Sequence, residues 1–407
     1  MYAALLSIIY VAFVSLGLPD SLVGAGWPVM HKDLGVPLAF AGIVTMVIAS
    51  GTILSSLASD RLTRRFGAGL VTATSVGMTA AALIGFSLSD QFWMICLWAI
   101  PYGLGAGAVD AALNNYVALH YAARHMNWLH SFWGVGASIS PFIMSYALTS
   151  GQGWSGAYRT VGLIQVVLTV ALVATLPLWR RVDTLRAPDA ADVPPEPQAD
   201  DAAPLSLARA LRIPGVAPVL VAFFAYCALE TTAMVWASTY LVTERAVDPA
   251  TAAAFASLFL LGVTGGRFLA GFVADRIGDR LLIRWGFTTV GLGTVMVLLP
   301  LGTDVVALAG LVIAGLGCAP IYPAIIHSTP ANFGRENSQA IIGVQMAAAY
   351  VGSTLAPPLF GLLSSGVGTW TFPVFLTALA VLGLVMSQRL NAVVDQHRRP
   401  EATRATA

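Results

Sequence analysis

Two short segments of the sequence resemble each other: SLASDRLTRRFG at Ser56–Gly67 and GFVADRIGDR at Gly271–Arg280. The aspartates of these two segments lie 215 residues apart. Pro141 and Pro357, each in a later hydrophobic segment, lie 216 residues apart. Because two independent pairs of landmarks share almost the same offset, the sequence indicates a duplicated structural unit.

The composition places this duplicated unit in a membrane. Hydrophobic residues make up 57% of the 407 residues and charged residues only 10%, whereas a soluble domain typically carries about 25% charged residues. Hydrophobic runs of roughly 20 residues, long enough to cross a bilayer as a helix, recur along the chain. They lack the alternation of polar and apolar residues that is typical of a β-barrel strand, so we predict an all-α integral membrane protein.

We predict twelve transmembrane helices, arranged as two pseudo-symmetric halves of six. The first six cover residues 3–29, 39–59, 68–88, 92–118, 127–149 and 157–179. The second six cover residues 215–242, 252–274, 281–301, 304–328, 338–363 and 370–389. The segment between them is rich in proline and acidic residues, which is typical of a linker. The predicted organisation is a first half at 1–181, a linker at 182–213, a second half at 214–390 and a tail at 391–407.

Basic residues set the predicted orientation, because cytoplasmic loops carry an excess of Lys and Arg. With both termini in the cytoplasm, 17 of the 21 basic residues lie on that side. Lys32, Arg159 and Arg245 lie outside, and Arg267 lies within a span. We therefore predict a multi-pass protein of the plasma (inner) membrane. The net charge of +1 gives no indication of a nucleic-acid partner.

The repeated loops follow the second predicted helix of each half, and their pattern resembles the G-x-x-x-D-R-x-G-x-R signature of the major facilitator superfamily. The second copy matches at Gly271, Asp275, Arg276, Gly278 and Arg280. The first copy departs at Ser56 and Thr63, where the family usually has glycine, so looser helix packing is expected there. The resemblance implies the major facilitator fold and a cytoplasmic gate. Our candidate gate residues are Asp60, Arg61, Arg64, Arg65, Arg267, Asp275, Arg276 and Arg280.

Four charged residues, Asp20, Asp110, Glu230 and Arg267, fall in the predicted hydrocarbon region, where a charge costs about 2.5–3.5 kcal/mol on insertion scales and marks a candidate functional site. Asp20 shares a helix face with Gly24 and Trp27, and Pro19 invites a break in the helix. This arrangement is typical of a cavity wall. The alternative is a carboxylate near the outer boundary that reaches the interface or caps a broken helix.

Asp110 lies in the middle of the fourth span, with Asn114 one helical turn further on. Gly103, Gly105 and Gly107 precede it and allow a close helix contact. A carboxylate on this face is not expected to point at lipid. We predict that Asp110 carries a proton because it lies deeper in the membrane than Asp20; if Asp20 is the carrier instead, Asp110 is an acceptor for a sugar hydroxyl. The alternatives are a protonated Asp110 that bonds a neighbouring helix, or a buried ion pair with an arginine.

Glu230 lies in the seventh span and shares a face with Tyr226. We consider it a third candidate for proton coupling, and the alternative is a structural ion pair with Arg267. For Arg267 itself, a structural or gating role is favoured.

Polar side chains also occupy related positions in the two halves. His130 and Gln345 lie 215 residues apart, in equivalent helices. His130 shares a face with Trp133, but a single histidine is more often a satisfied core residue than a proton carrier. In the tenth span, Pro320 and Pro323 predict a kink that frees backbone carbonyls.

Several stretches resemble the branch of fucose–proton symporters and related glucose transporters. They are LPDSLVGAGWP, GAGAVDAALNNY, MNWLHSFWGVGA, CALETTAMVWASTYL and GLGCAPIYPAI. The resemblance implies that the acids of helices 1 and 4, here Asp20 and Asp110, serve proton coupling and sugar recognition. This chain has Asp in helix 4 where the fucose symporter has Glu. The candidate solute-binding residues are Asn114, Asn115, Trp27, His130, Trp133, Gln345, Tyr226 and Trp236.

We therefore predict proton-coupled symport of a small polar solute, a monosaccharide or similar, by alternating access. The expected partners are the solute, protons and the lipid bilayer, and the protein is expected to act as a monomer. No nucleotide-binding, metal or redox motif is present, so neither a cofactor nor an enzymatic activity is expected. Two alternatives stand: proton-driven efflux of a drug or metabolite, which the same fold supports, and a membrane scaffold or sensor without transport.

Overall fold

The computed structural model describes residues 2–179, 205–299 and 304–405, and the regular structure in these residues is helical. In the first half, the long helices are α1 (α1a, Tyr2–Asp20, and α1b, Leu22–Asp33), α2 (Ala41–Phe66), α3 (Ala68–Ser87), α4 (Phe92–His120), α5 (Ala123–Thr149) and α6 (Gly153–Ala174). In the second half they are α7 (Val216–Arg245), α8 (Pro249–Ile277), α9 (Asp279–Leu298), α10 (α10a, Val305–Cys318, and α10b, Ile321–His327), α11 (Arg335–Val367) and α12 (Phe372–Ala405).

Short elements complete the described chain. They are two helices, Leu207–Ala210 and Thr329–Phe333, and two 3-10 turns, Leu38–Phe40 and Thr369–Thr371. Within the described residues, eleven helices are long and apolar enough to cross a membrane by length and composition. The helix outside this set is α5, whose 27 residues include Asn127 and His130. These polar side chains lower its hydropathy, while its length still suffices to span a bilayer.

Two long helices are interrupted where prolines predict it. The first breaks at Ser21, two residues after Pro19. The tenth breaks between Cys318 and Ile321, and Pro320 lies in the break. Proline removes a backbone donor and clashes with the preceding turn, so it interrupts the helical ladder. Both predicted interruptions are confirmed.

Glycines on α4 allow helices to approach at backbone distance. A Cβ atom at Gly103 would lie 2.2 Å from the carbonyl oxygen of Ile48, and one at Gly107 would lie 2.1 Å from that of Thr52. These contacts join α4 to α2 with no room for a methyl group. The predicted close helix contact is therefore confirmed.

The packing of the first repeated loop corrects one expectation. Ser56, which stands where the signature has glycine, is fully buried and donates a hydrogen bond to the Gly107 carbonyl at 3.2 Å. The expected loosening is wrong, because the glycine that permits the close contact is on α4 instead. In the second copy, Gly271 provides the space itself: a Cβ atom there would lie 2.2 Å from the indole nitrogen of Trp128.

The chain forms two compact units. One comprises Met1–Tyr116 and Leu129–Leu205, and the other comprises Val117–Trp128 and Ser206–Ala407. The segment from Val117 to Trp128, which the sequence places in the first half, thus groups with the second unit. Most of the predicted linker, residues 182–213, lies outside the described residues.

The last helix continues beyond the predicted end of its span. It extends to Ala405, where the sequence predicts a tail from residue 391. Leu390 and Val394 are buried, and Asp395 pairs with Arg280 at 2.8 Å. These contacts explain why the helical structure continues past the apolar run.

Candidate transport site and gate

Asp20 is the last residue of α1a, directly before the helix break. Its Oδ1 accepts a hydrogen bond from the Tyr102 hydroxyl at 3.0 Å, and its Oδ2 accepts one from the Trp133 indole at 2.9 Å. Asp20 itself is exposed, whereas Tyr102 is buried. Both carboxylate oxygens are therefore held by neutral donors, from α4 and α5, while the group stays within reach of a solute.

Trp27 does not share this site. The break at Ser21 separates its helix segment from that of Asp20. Its side chain is buried in the hydrophobic core of the first unit, and its indole nitrogen donates to the Leu38 carbonyl at 2.7 Å. The sequence places Trp27 at the cavity wall, but the structure places it in the core instead.

A buried hydrogen-bonded chain connects α4 to α5 within the first unit. The Asn114 amide donates to Asp110 Oδ1 at 2.7 Å and to the Asp110 carbonyl at 2.9 Å, and Asn114 Oδ1 lies 3.0 Å from His130 Nε2. Asp110 is 5% exposed and does not face lipid. Because Asn114 donates to Asp110, its oxygen faces His130, which then carries hydrogen on Nε2. Asn115, the next residue, is also buried.

The second unit contains a buried ion pair between α7 and α8. Arg267 Nη2 donates to Glu230 Oε1 and to the Tyr226 hydroxyl, both at 3.0 Å. The Arg267 guanidinium also lies 5.9 Å from the centre of the Tyr322 ring. The structure thus shows the Glu230–Arg267 pair that the sequence left as an alternative.

Two other candidate residues of the second unit form hydrogen bonds with neighbouring helices. Gln345 is fully buried, and its Oε1 accepts a hydrogen bond from Thr329 at 3.0 Å. The Trp236 indole donates to the Pro357 carbonyl at 3.0 Å. Within the described residues, the hydrogen bonds of Gln345 and Trp236 go to these groups and not to the Glu230–Arg267 pair.

The second repeated loop binds the start of α5. Asp275 Oδ1 accepts a hydrogen bond from the Arg124 backbone N–H at 3.0 Å, and Oδ2 lies 3.4 Å from Arg124 Nη1. At the end of α10, His327 lies 2.7 Å from Asp279 Oδ2 and 3.2 Å from the Tyr121 carbonyl oxygen. The contacts of Arg124 and Tyr121 hold the segment from Val117 to Trp128 against α8 and α10, and Asp279 of α9 bonds the histidine of α10.

The first repeated loop makes different contacts. Asp60 is buried, and its Oδ1 accepts a hydrogen bond from Arg64 Nε of the same helix at 2.9 Å. Asp60 Oδ2 is buried without a hydrogen-bond partner in the described chain. Arg61, Arg65 and Arg276 are exposed. The two copies of the signature are therefore not in equivalent states.

Known proteins show where this arrangement belongs. The family model of the Major Facilitator Superfamily matches residues 9–246 and 218–406. The chain belongs to the major facilitator superfamily. It is therefore a membrane transporter and not an enzyme.

Relatives within the superfamily are distant in sequence. Bypass of stop codon protein 6 of Saccharomyces cerevisiae is 22% identical over 388 residues, covering 89% of this chain and 77% of the relative. The 4-hydroxybenzoate transporter PcaK of Pseudomonas aeruginosa is 23% identical over 394 residues, covering 90% and 86%.

Solved structures confirm the major facilitator fold. FucP, a transporter solved in the outward conformation, superposes with a TM-score of 0.72 at 15% identity, covering 95% of this chain and 98% of that one. The proton:xylose symporter XylE gives a TM-score of 0.74 at 12% identity, with 96% and 95% covered. At these identities the likeness concerns the fold alone.

Several contact residues of this major facilitator transporter carry no signal in the sequence. Tyr102 lies in an apolar run and has no feature that predicts a bond to Asp20. His327 and Asp279 lie at helix ends, where single polar residues are common. Their pairing depends on how helices rotate against each other, which hydrophobic periodicity does not specify.

Proposed function

We propose that this transporter couples proton movement to the uptake of a small polar solute, a monosaccharide or a similar metabolite. The observation that carries the proposal is the buried chain of Asp110, Asn114 and His130 inside the first unit. A charged carboxyl group in a membrane domain is costly, so its presence marks a candidate functional site. The proton:xylose symporter XylE and the fucose:proton symporter FucP of E. coli, both of the same fold, support this solute class.

The proposed coupling follows from the chemistry of a buried carboxyl group. We propose that the Asp110 carboxyl group, which is bonded to Asn114 inside the first unit, binds one proton and releases it during the transport cycle. If the solute binds the protonated form more tightly, proton and solute binding favour each other by the same free energy. Asp20, held by neutral donors, is the second candidate for the same role. Alternating access then carries both ligands across the membrane.

The contacts of Asp275 support a proposed gate on the predicted cytoplasmic face. The segment it binds, Val117–Trp128, connects α4 with α5, which carry the Asp110–His130 chain. We propose that these contacts hold one conformation and are stretched or lost in the other. Asp60 is the corresponding residue of the first copy. We propose that its Oδ2, which is buried without a hydrogen-bond partner here, gains a partner in the other conformation.

Solute-induced proton flux in proteoliposomes tests the proposal. With the outward face outside, adding a monosaccharide should make the external medium more alkaline, because protons enter with the sugar. A proton flux in the opposite direction on addition of a drug would indicate efflux instead. No flux with any solute would indicate a scaffold or sensor.

A further inference from the structure

The Glu230–Arg267 pair leaves hydrogen-bonding capacity unused on both partners. A guanidinium group has five N–H donors in a fixed planar geometry. Here one nitrogen, Arg267 Nη2, donates to both Glu230 and Tyr226, while Nε is buried without a hydrogen-bond partner. Glu230 accepts through Oε1, and in the described residues its Oε2 has no recorded partner. The pair is therefore bonded through a single nitrogen and a single oxygen.

This geometry is unfavourable for a purely structural ion pair. A buried donor without an acceptor costs about 1–3 kcal/mol, and more when the group is charged. Structural pairs avoid this cost by two parallel bonds between guanidinium and carboxylate. The Tyr226 hydroxyl and the Tyr322 ring instead hold Arg267 in a fixed position that keeps Nε free. The pair therefore keeps one unused donor, Arg267 Nε, and one unused acceptor, Glu230 Oε2, for a further hydrogen-bonding group.

We propose that Glu230 and Arg267 form a subsite for a hydroxyl group, or two adjacent hydroxyl groups, of a neutral polyhydroxylated solute. A hydroxyl donates and accepts at once, so it complements Glu230 Oε2 and Arg267 Nε together. This inference rests on the proposed sugar uptake and assigns the pair to solute recognition, in place of proton coupling and gating.

Charge argues for a neutral solute at this subsite. The Glu230 side chain is 15% exposed and that of Arg267 only 3%, so an entering group meets the carboxylate first. An anion would be repelled there, whereas a hydroxyl group is attracted.

The experiment combines changes in the protein with changes in the sugar. The affinity of purified wild type is first measured for D-glucose, L-fucose and D-xylose. It is then measured for each monodeoxy analogue of the sugar that binds most tightly. The same series is measured on Arg267→Gln and on the double variant Arg267→Gln/Glu230→Gln. The double variant removes both charges, so it leaves no unpaired charge that would prevent folding. Arg284→Gln, the same change at an exposed position on α9, is the matched control.

In wild type and in the control, removal of one hydroxyl or of two adjacent ones should weaken binding about tenfold or more, because a bond to a charged group is lost. The double variant should bind the parent sugar as weakly as wild type binds the deoxy analogue. Removal of the same hydroxyl from the sugar should then cause no further loss of affinity. Unchanged discrimination between the sugars in the double variant would overturn the subsite alone. If D-gluconate binds more tightly than D-glucose and requires Arg267, the neutral class is wrong. If no monosaccharide binds to wild type, the proposed sugar uptake fails together with the subsite.

Discussion

The Asp275 carboxylate lies against the first turn of α5, where its Oδ1 accepts the backbone N–H of Arg124 at 3.0 Å. Helix α5 begins at Ala123, so this N–H is one of those that no carbonyl of the helix itself can satisfy. An acid at this position also interacts favourably with the positive end of the helix dipole. The signature aspartate of the second loop thus caps a helix that begins in another part of the sequence.

Replacement of Asp275 by Ala should loosen the segment from Val117 to Trp128. Loss of a helix cap costs about 0.5–2 kcal/mol, so amide hydrogen exchange in this segment should become about two- to thirtyfold faster. Hydrogen exchange with mass spectrometry measures this directly, with Arg284→Ala as the control on a nearby exposed surface. Exchange that stays at the wild-type rate would show that Asp275 does not hold the segment.

Replacement of Gly107 by Ala should destabilise the first unit. The added Cβ would lie 2.1 Å from the Thr52 backbone oxygen, which moves only if α2 moves. Overpacking of this kind costs about 1–3 kcal/mol, which thermal unfolding in detergent would detect as a lower Tm. The matched control is Gly42→Ala on α2, where nothing lies within 4 Å of the added carbon. Equal Tm values for the two variants would contradict the packing described above.

Trp133 offers a test between two roles, bonding Asp20 or stacking on a sugar ring. Trp133→Phe keeps an aromatic ring but removes the indole N–H that donates to Asp20. If the bond matters, gradient-driven uptake should fall about tenfold or more for Phe and for Ala alike, because a bond to a charged group is lost. Uptake that is retained in Trp133→Phe but lost in Trp133→Ala would instead indicate that the ring stacks on the solute.

The sequence predicts the helices well because each helix depends on the hydrophobicity of residues that are adjacent in the chain. Hydrophobic length predicts the spans, and Pro19 and Pro320 predict the two breaks. The glycines of α4 predict a close helix contact, because a residue without a side chain lets any neighbouring helix approach; that the partner is α2 is known only from the structure. These properties are local, so they can be read without knowledge of the partner helix.

Contacts between helices are less predictable, because they depend on rotation, tilt and break geometry. Trp27 is the clearest case. Helical spacing places it on the face of Asp20, but its side chain is buried in the hydrophobic core of the first unit. Tyr102, a partner of Asp20, lies 82 residues away in an apolar run. The sequence indicates the Glu230–Arg267 pair as an alternative only because charges of opposite sign in the hydrocarbon region are few.

Asp110 carries the central claim, that one buried carboxyl group binds the transported proton. Asp110→Asn mimics the protonated side chain and keeps a group that can bond to Asn114. The variant should therefore bind the solute and exchange it across the membrane without needing a proton. Asp20→Asn is the parallel variant, and it should show the same behaviour only if Asp20 is the carrier.

The most direct test compares two assays on Asp110→Asn in proteoliposomes: solute counterflow without a pH gradient, and accumulation driven by an inward proton gradient. We predict that counterflow is retained and that gradient-driven accumulation is lost. Loss of solute binding would move Asp110 to the solute-contact residues. Full gradient-driven accumulation by this variant would contradict the assignment of Asp110 as the proton carrier.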